Sequence, residues 1–223
     1  QATPHSAASR GPPSKNSAVA TASAIIASGA TAQVAAMTAT QIGGFSTLQA
    51  EALTESQVSA LTSSQLAMLG PEELATFSTA DMASITTRAI TGITTETMAS
   101  LTTAQIAALS PKSVGGLTTG QITALSSAQT EALTAAQAAQ LTAAQIGALG
   151  TAGLATFTTQ EIAALNNSAI AGVNPAILAE LDSAQVAALT TAQVGAIKAA
   201  QIAAVGTGFI TALSTEQISA LNT

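Results

Sequence analysis

The ionisable side chains of this 223-residue chain are few, and none has the neighbours that catalysis needs. His5 is the only histidine, and no nucleophile–base pair, metal-spaced cluster or phosphate-binding glycine loop accompanies it. Glu72 and Glu73 could form half of a cation site, but they follow Pro71, as in a first helical turn, where the helix dipole favours acids. No cysteine is present, which excludes disulfides and thiolate metal sites. The sequence therefore predicts no enzyme, metal or cofactor.

Charge is scarce and unevenly distributed. Charged residues make up 7% of the chain, against roughly 25% in ordinary globular proteins. Residues 1–28 contain two basic residues, Arg10 and Lys15, and no acid, whereas residues 29–223 contain all eleven acidic residues. An acidic chain is a poor ligand for phosphate backbones, so nucleic acid is not an expected partner. No apolar stretch is long enough for a membrane span, and low charge favours self-association.

A strict eight-residue repeat organises the elements. From Met37 to Leu221 every eighth residue is apolar, and the typical octad is Leu-Thr-x-x-Gln-Ile-x-Ala, as at 101–108. The first and sixth positions are expected to form the core, and the four methionines, at or beside apolar positions, to fill it. A unit this short cannot bury its own apolar face, so stacking of units into a solenoid is expected.

Three structures could produce a period of eight. A continuous helix fails because eight residues leave about 80° of drift per repeat. A β-solenoid would need β-branched or aromatic alternation, whereas alanine and glutamine fill this chain. A short helix restarted in every octad agrees with the sequence.

The second and fifth octad positions indicate where each helix starts. The second is Thr, Ser, Asn, Asp or Gly in every octad except the one with Lys198, and the fifth is usually Gln or Glu. That pairing is the capping box. The prolines of the repeat, Pro71, Pro111 and Pro175, all follow the cap, where proline is tolerated. The predicted fold is an all-α solenoid, right- or left-handed, of very short capped helices.

Two regions follow from the register. Residues 1–20 contain Pro4, Pro12 and Pro13 with few large apolar side chains, and are expected to form an extended arm. Residues 21–223 form the octapeptide-repeat solenoid. The arm is expected to contact an acidic neighbouring subunit through Arg10 and Lys15, or to fold back on its own rod. Both ends of the rod look open, which suggests linear assembly.

A longer repeat is superimposed on the octads. Residues 69–77 and 149–157 are similar, Leu-Gly-Pro-Glu-Glu-Leu-Ala-Thr-Phe against Leu-Gly-Thr-Ala-Gly-Leu-Ala-Thr-Phe, at an offset of ten octads. The similarity could mark a contact face, or it could record a duplication with no contact role.

The octads Leu-Thr-Thr-Ala-Gln-Ile-Ala-Ala at 101–108 and Leu-Thr-Thr-Ala-Gln-Val-Gly-Ala at 189–196 resemble the octapeptide arrays of large secreted bacterial surface proteins labelled as haem-utilisation or adhesion proteins. The resemblance covers about residues 29–223 and implies a secreted, surface-associated protein. It does not extend to haem binding, since His5 lies outside the repeat. The octad also looks like half of a TAL-effector repeat, but the second helix and the base-reading loop are missing.

These features predict a structural subunit of an extracellular filament or sheath, with other copies of the chain as its partners and no small-molecule substrate. The alternative is an adhesin stalk that presents a ligand-binding region absent from this chain. Threonines at the third octad position, such as Thr103 and Thr119, could also form an ice-binding face. Glu55 and Ala135, at the same octad position, interrupt that row of threonines.

Overall fold

The computed structural model describes residues 23, 24 and 26–221; the predicted arm at 1–20, with Arg10 and Lys15, lies outside them. Short α-helices follow one another through the described residues, which contain no β-strand. Their bounds are α1 (Thr31–Ala36), α2 (Ala39–Ile42), α3 (Thr47–Glu51), α4 (Glu55–Ser59), α5 (Ser63–Leu66), α6 (Pro71–Leu74), α7 (Thr79–Ser84), α8 (Thr95–Ser100), α9 (Thr103–Ala108), α10 (Pro111–Gly115), α11 (Thr119–Thr123), α12 (Ser127–Glu131), α13 (Ala135–Ala138), α14 (Ala143–Leu154), α15 (Thr159–Ala164), α16 (Asn167–Gly172), α17 (Pro175–Ala179), α18 (Ser183–Ala188), α19 (Thr191–Ala196), α20 (Ala199–Ala204), α21 (Thr207–Ala212) and α22 (Thr215–Ser219). The prediction of an all-α solenoid of very short helices is confirmed.

Capping boxes start most of these helices. At the start of α9, the Gln105 backbone N–H donates to Thr102 Oγ1 at 3.2 Å, and the Thr102 backbone N–H donates to Gln105 Oε1 at 3.0 Å. Each bond satisfies an N–H group that the helix itself leaves without a partner. Pro71, Pro111 and Pro175 are each the first residue of a helix, as predicted.

Two octads depart from the simple rule. Ile90–Gly92 form a 3-10 helix, in an octad whose fifth position is Ala89 rather than glutamine. Gly150, within α14, has non-helical dihedral angles, with φ of 67° and ψ of −172°. α14 therefore consists of two short helices, one before and one after Gly150, with no further residues between them. A positive φ of this kind is readily adopted only by glycine. Outside these two places the helix restarts at each octad.

The core runs along the inside of the coil. Leu101 and Ile106, at the first and sixth octad positions, are 4% and 1% exposed. The prediction that methionines fill the core holds for Met82 and Met98 but is wrong for Met68, which is 47% exposed. Met68 occupies the eighth octad position, two residues beyond the inward sixth position.

The contribution of the N-cap residue Thr102 to stability can be tested by comparison with Thr103. We expect Thr102→Ala to lower the free energy of unfolding by about 1 kcal/mol, because Thr102 Oγ1 would no longer accept the Gln105 N–H. Thr103→Ala, one residue later on the exposed surface, should change stability by less than about 0.5 kcal/mol. Urea unfolding followed by circular dichroism measures both. Equal losses would contradict the cap's role.

Candidate assembly interface

Successive turns of the solenoid stack with a fixed separation in sequence. Helices that pack against each other begin 24 residues apart, as α4 and α7 do, and also α9 and α12. Side-chain hydrogen bonds between turns join residues 28 and 31 apart. One turn therefore takes between 24 and 31 residues, or three to four octads.

The fifth-position glutamine links one turn to the turn before it. Gln121 Oε1 accepts the backbone N–H of Thr118 at 2.8 Å, which completes the capping box of α11. Its amide nitrogen, Nε2, donates to the backbone carbonyl oxygens of Ile90 and Ile93, both at 2.7 Å. The Gln121 side chain is only 2% exposed. One buried amide thus serves two turns at once.

The same three bonds recur throughout the rod. In each case Oε1 accepts from the helix N-cap, and Nε2 donates at 2.6–3.1 Å to the carbonyls 31 and 28 residues earlier. We call these residues the glutamine ladder: Gln65, Gln105, Gln121, Gln129, Gln137, Gln145, Gln185, Gln193, Gln201 and Gln217.

The ladder solves a problem that very short helices create. A helix leaves its first N–H groups and its last carbonyl groups without partners, and in a helix of four to six residues these are most of the backbone. The glutamine oxygen serves the first end of its own helix. The glutamine nitrogen serves carbonyls at the last end of a helix in the preceding turn, at the sixth octad position and the first position of the next octad. These hydrogen bonds satisfy backbone N–H and carbonyl groups that would otherwise be buried without a partner.

Half of this arrangement can be predicted from the sequence. The capping box follows from residues three apart, so the role of the glutamine oxygen was predictable. The role of the nitrogen was not, because its acceptors lie 28 and 31 residues away and the octad period does not fix the number of octads in a turn. The available signal was the residue type: a capping box accepts Glu as well as Gln, yet Gln predominates here.

Two other side chains replace a missing ladder glutamine. Ser113 occupies a fifth position, and its Oγ donates to the Ile85 carbonyl, 28 residues earlier, at 2.6 Å. Where Ala169 occupies the fifth position, Asn166 at the cap takes over: its Oδ1 accepts from the Ala169 N–H at 2.7 Å, and its Nδ2 donates to the Leu141 carbonyl at 2.8 Å. Leu141 is the residue that a glutamine at position 169 would reach.

The charged residues do not converge on a site. Among residues 23–24 and 26–221, no group of three or more His, Cys, Asp or Glu side chains could hold a metal ion. Asp81 and Asp182 both serve capping boxes. A backbone hydrogen bond and one from Ser214 Oγ lower the pKa of Glu216 from its ordinary value.

The predicted contact residues Arg10 and Lys15 lie outside the described residues, so the arm stays a prediction. In the part of the chain that the structure describes, no helix is both long enough and apolar enough to cross a bilayer.

Comparison with known proteins identifies no relative of this chain. No family model, curated protein or solved structure matches the chain. The resemblance of residues 29–223 to secreted octapeptide arrays therefore stays a prediction, and the inference about function depends on the interface between turns.

Proposed function

We propose that this chain is a structural subunit of an extracellular filament or sheath, in which copies stack end to end as turns stack within one chain. We assign it no catalytic activity, cofactor or small-molecule substrate. The observation that carries the proposal is the way turns join: buried glutamine amides donate to main-chain carbonyls that every octad presents.

The turn of residues 197–221 exposes side chains whose counterparts are buried in other turns. Ile210 and Ile218, at the sixth octad position, are 36% and 49% exposed, whereas Ile106 and Ile122 at the same position are each 1% exposed. Inside the rod, the carbonyl groups of the sixth and first positions receive ladder amides. Ile202 and Val205, in the same turn, are half-buried.

A second copy offers the complementary groups. Gln33 and Gln41 occupy fifth octad positions in the first described turn, and both side chains are exposed. Gln41 already forms its capping box, since its Oε1 accepts the Thr38 N–H at 2.8 Å. Amide donors in the first described turn of one copy would meet carbonyl acceptors in a late turn of another, and such a head-to-tail contact propagates into an open filament rather than closing as a dimer.

Sedimentation velocity over a range of concentrations, with electron microscopy, tests the stacking. We expect the parent chain to sediment faster as concentration rises and to form filaments. Ile210→Glu with Ile218→Glu should keep the chain monomeric, because the two charges would be buried in the contact. Ser127→Glu, a matched change on the exposed side of α12, should assemble like the parent. Circular dichroism confirms that each variant is folded.

A single thin rod at every concentration would contradict the filament and favour the second candidate, an adhesin stalk or spacer. The continuous ladder from Gln121 to Gln145 favours that function, since turn-to-turn hydrogen bonds would keep a long spacer straight. A chain without residues 1–20 tests the arm separately. Filaments of normal stability from that chain would show that Arg10 and Lys15 are not needed.

A further inference from the structure

Besides single gaps at Ser113 and Phe209, the glutamine ladder has two long interruptions, each over four consecutive octads. In residues 69–100 and again in residues 149–180, no fifth position is glutamine. The residues found there are Glu73, Asp81, Ala89 and Thr97 in the first block, and Gly153, Glu161, Ala169 and Ile177 in the second. Because a turn takes three to four octads, each block removes the ladder from one complete turn-to-turn interface.

The substitutes cannot carry out the missing half of the amide's role. Glu73 and Asp81 accept the N–H groups of Gly70 and Ser78, at 3.0 and 2.9 Å, and so complete their capping boxes. An ionised carboxylate has no hydrogen to donate, so neither residue reaches a carbonyl of the preceding turn. Among the described residues, no hydrogen bond joins residues 23–69 to residues 70–221.

Packing without hydrogen bonds holds the first interrupted interface, where the Gly92 backbone also lies close to the Ser63 carbonyl group. Leu53, Leu69, Phe77 and Met82 are all buried there. Hydrophobic contact is non-directional and tolerates sliding and tilting, whereas a hydrogen bond weakens steeply as its angle bends. The second interface keeps one polar link, from Asn166 Nδ2 to the carbonyls of Leu141 and Ala139 at 2.8 and 3.2 Å.

We infer that the rod has a joint between residues 69 and 70, at which the segment 26–69 tilts against the rest of the rod. A second, stiffer joint lies ten octads later, between residues 149 and 150. The similarity between residues 69–77 and 149–157 coincides with these two joints. The inference does not depend on whether the chain forms filaments or spaces an adhesive region.

Distances between paired nitroxide labels test the joint, and the absence of native cysteine makes labelling selective. One pair, Glu55→Cys with Thr79→Cys, spans the first joint between α4 and α7. The matched pair, Thr103→Cys with Ser127→Cys, lies on α9 and α12 beside an intact ladder. All four sites are exposed, at the third octad position, and each pair is 24 residues apart on contacting helices. Electron paramagnetic resonance should give a broader distance distribution across the joint. Equal widths would overturn the inference.

Restoring an amide should stiffen the joint. Glu73→Gln keeps the capping box and adds a donor for the carbonyls 31 and 28 residues earlier, those of Ile42 and Phe45. We expect it to narrow the distance distribution and to slow amide hydrogen exchange in residues 26–69 about fivefold. Glu72→Gln removes the same charge one residue earlier, from an exposed side chain, and should change neither measurement. Equal effects of the two variants would assign any change to charge and contradict the role of the missing amide.

Discussion

Gln121→Glu is expected to lower the free energy of unfolding by about 4 kcal/mol or more. The substitution keeps the size of the side chain and its capping oxygen, but it removes the donor to the Ile90 and Ile93 carbonyls. Two buried carbonyls would lose a partner, at about 1–3 kcal/mol each. A carboxylate would also lie beside two carbonyl oxygens in a site that is 2% exposed. Urea unfolding measures the loss.

The pH dependence of this loss separates the amide's role from a general effect of packing. A protonated carboxyl group is neutral and can donate its O–H to one carbonyl, whereas the carboxylate can donate to neither. The folded variant therefore favours the protonated form more than the unfolded chain does. The loss relative to the parent should be largest at neutral pH and should shrink as the pH falls towards about 4. A loss that is independent of pH would contradict the arrangement around Nε2.

Gln160→Glu is the matched control for Gln121→Glu. Gln160 lies on the exposed surface of α15. The same chemical change there should alter the free energy of unfolding by less than about 0.5 kcal/mol at neutral pH. A comparable loss at both positions would show that added negative charge, and not the lost donor, destabilises the rod.

Gly92→Ala is expected to destabilise the chain by about 3 kcal/mol or more. A β-carbon on Gly92 would overlap the carbonyl oxygen of Ser63 and lie 2.6 Å from its carbonyl carbon. Both are backbone atoms, so no side-chain rotation relieves the contact, and the two turns would have to move apart. Thermal unfolding followed by circular dichroism measures the effect.

Gly147→Ala provides the opposite expectation in the same repeat. Gly147 lies within α14, and no atom is within 4 Å of the position that its β-carbon would occupy. Alanine there should stabilise the helix by about 0.5–1 kcal/mol, because it restricts the unfolded chain and suits the helix. If both substitutions changed the free energy of unfolding in the same direction, the close approach at Gly92 would not explain the loss of stability in Gly92→Ala.

Most of the local structure could be predicted because its determinants are close in sequence. Thr102 and Gln105 are three residues apart and define a helix start, and Pro111 fixes the next. Leu101, at the corner before α9, and Ile106, within α9, both point to the core. The 3-10 helix at Ile90–Gly92 was not predicted, since its octad retains Ile85 and Thr86 at the usual positions.

The contacts between turns could not be predicted, because the octad sequence does not state how many octads form a turn. That number depends on the angle at each Leu-Thr corner, summed over several corners. Once the turn is known, Asn166 is explained as the donor that compensates for Ala169. The ten-octad similarity likewise acquires a structural location, at the two long interruptions of the ladder.

The choice of acceptor in the ladder has a consequence for how such chains change in length. Each amide bonds to main-chain oxygens, which every octad presents whatever its side chains are. If a whole octad were lost or gained, each glutamine would lie above a different octad of the preceding turn. It would still meet backbone carbonyl oxygens there, because every octad has them. Recombination between the repeated stretches of the coding sequence would then change the length of the rod while leaving its interfaces intact, whereas a one-residue shift would displace every later leucine.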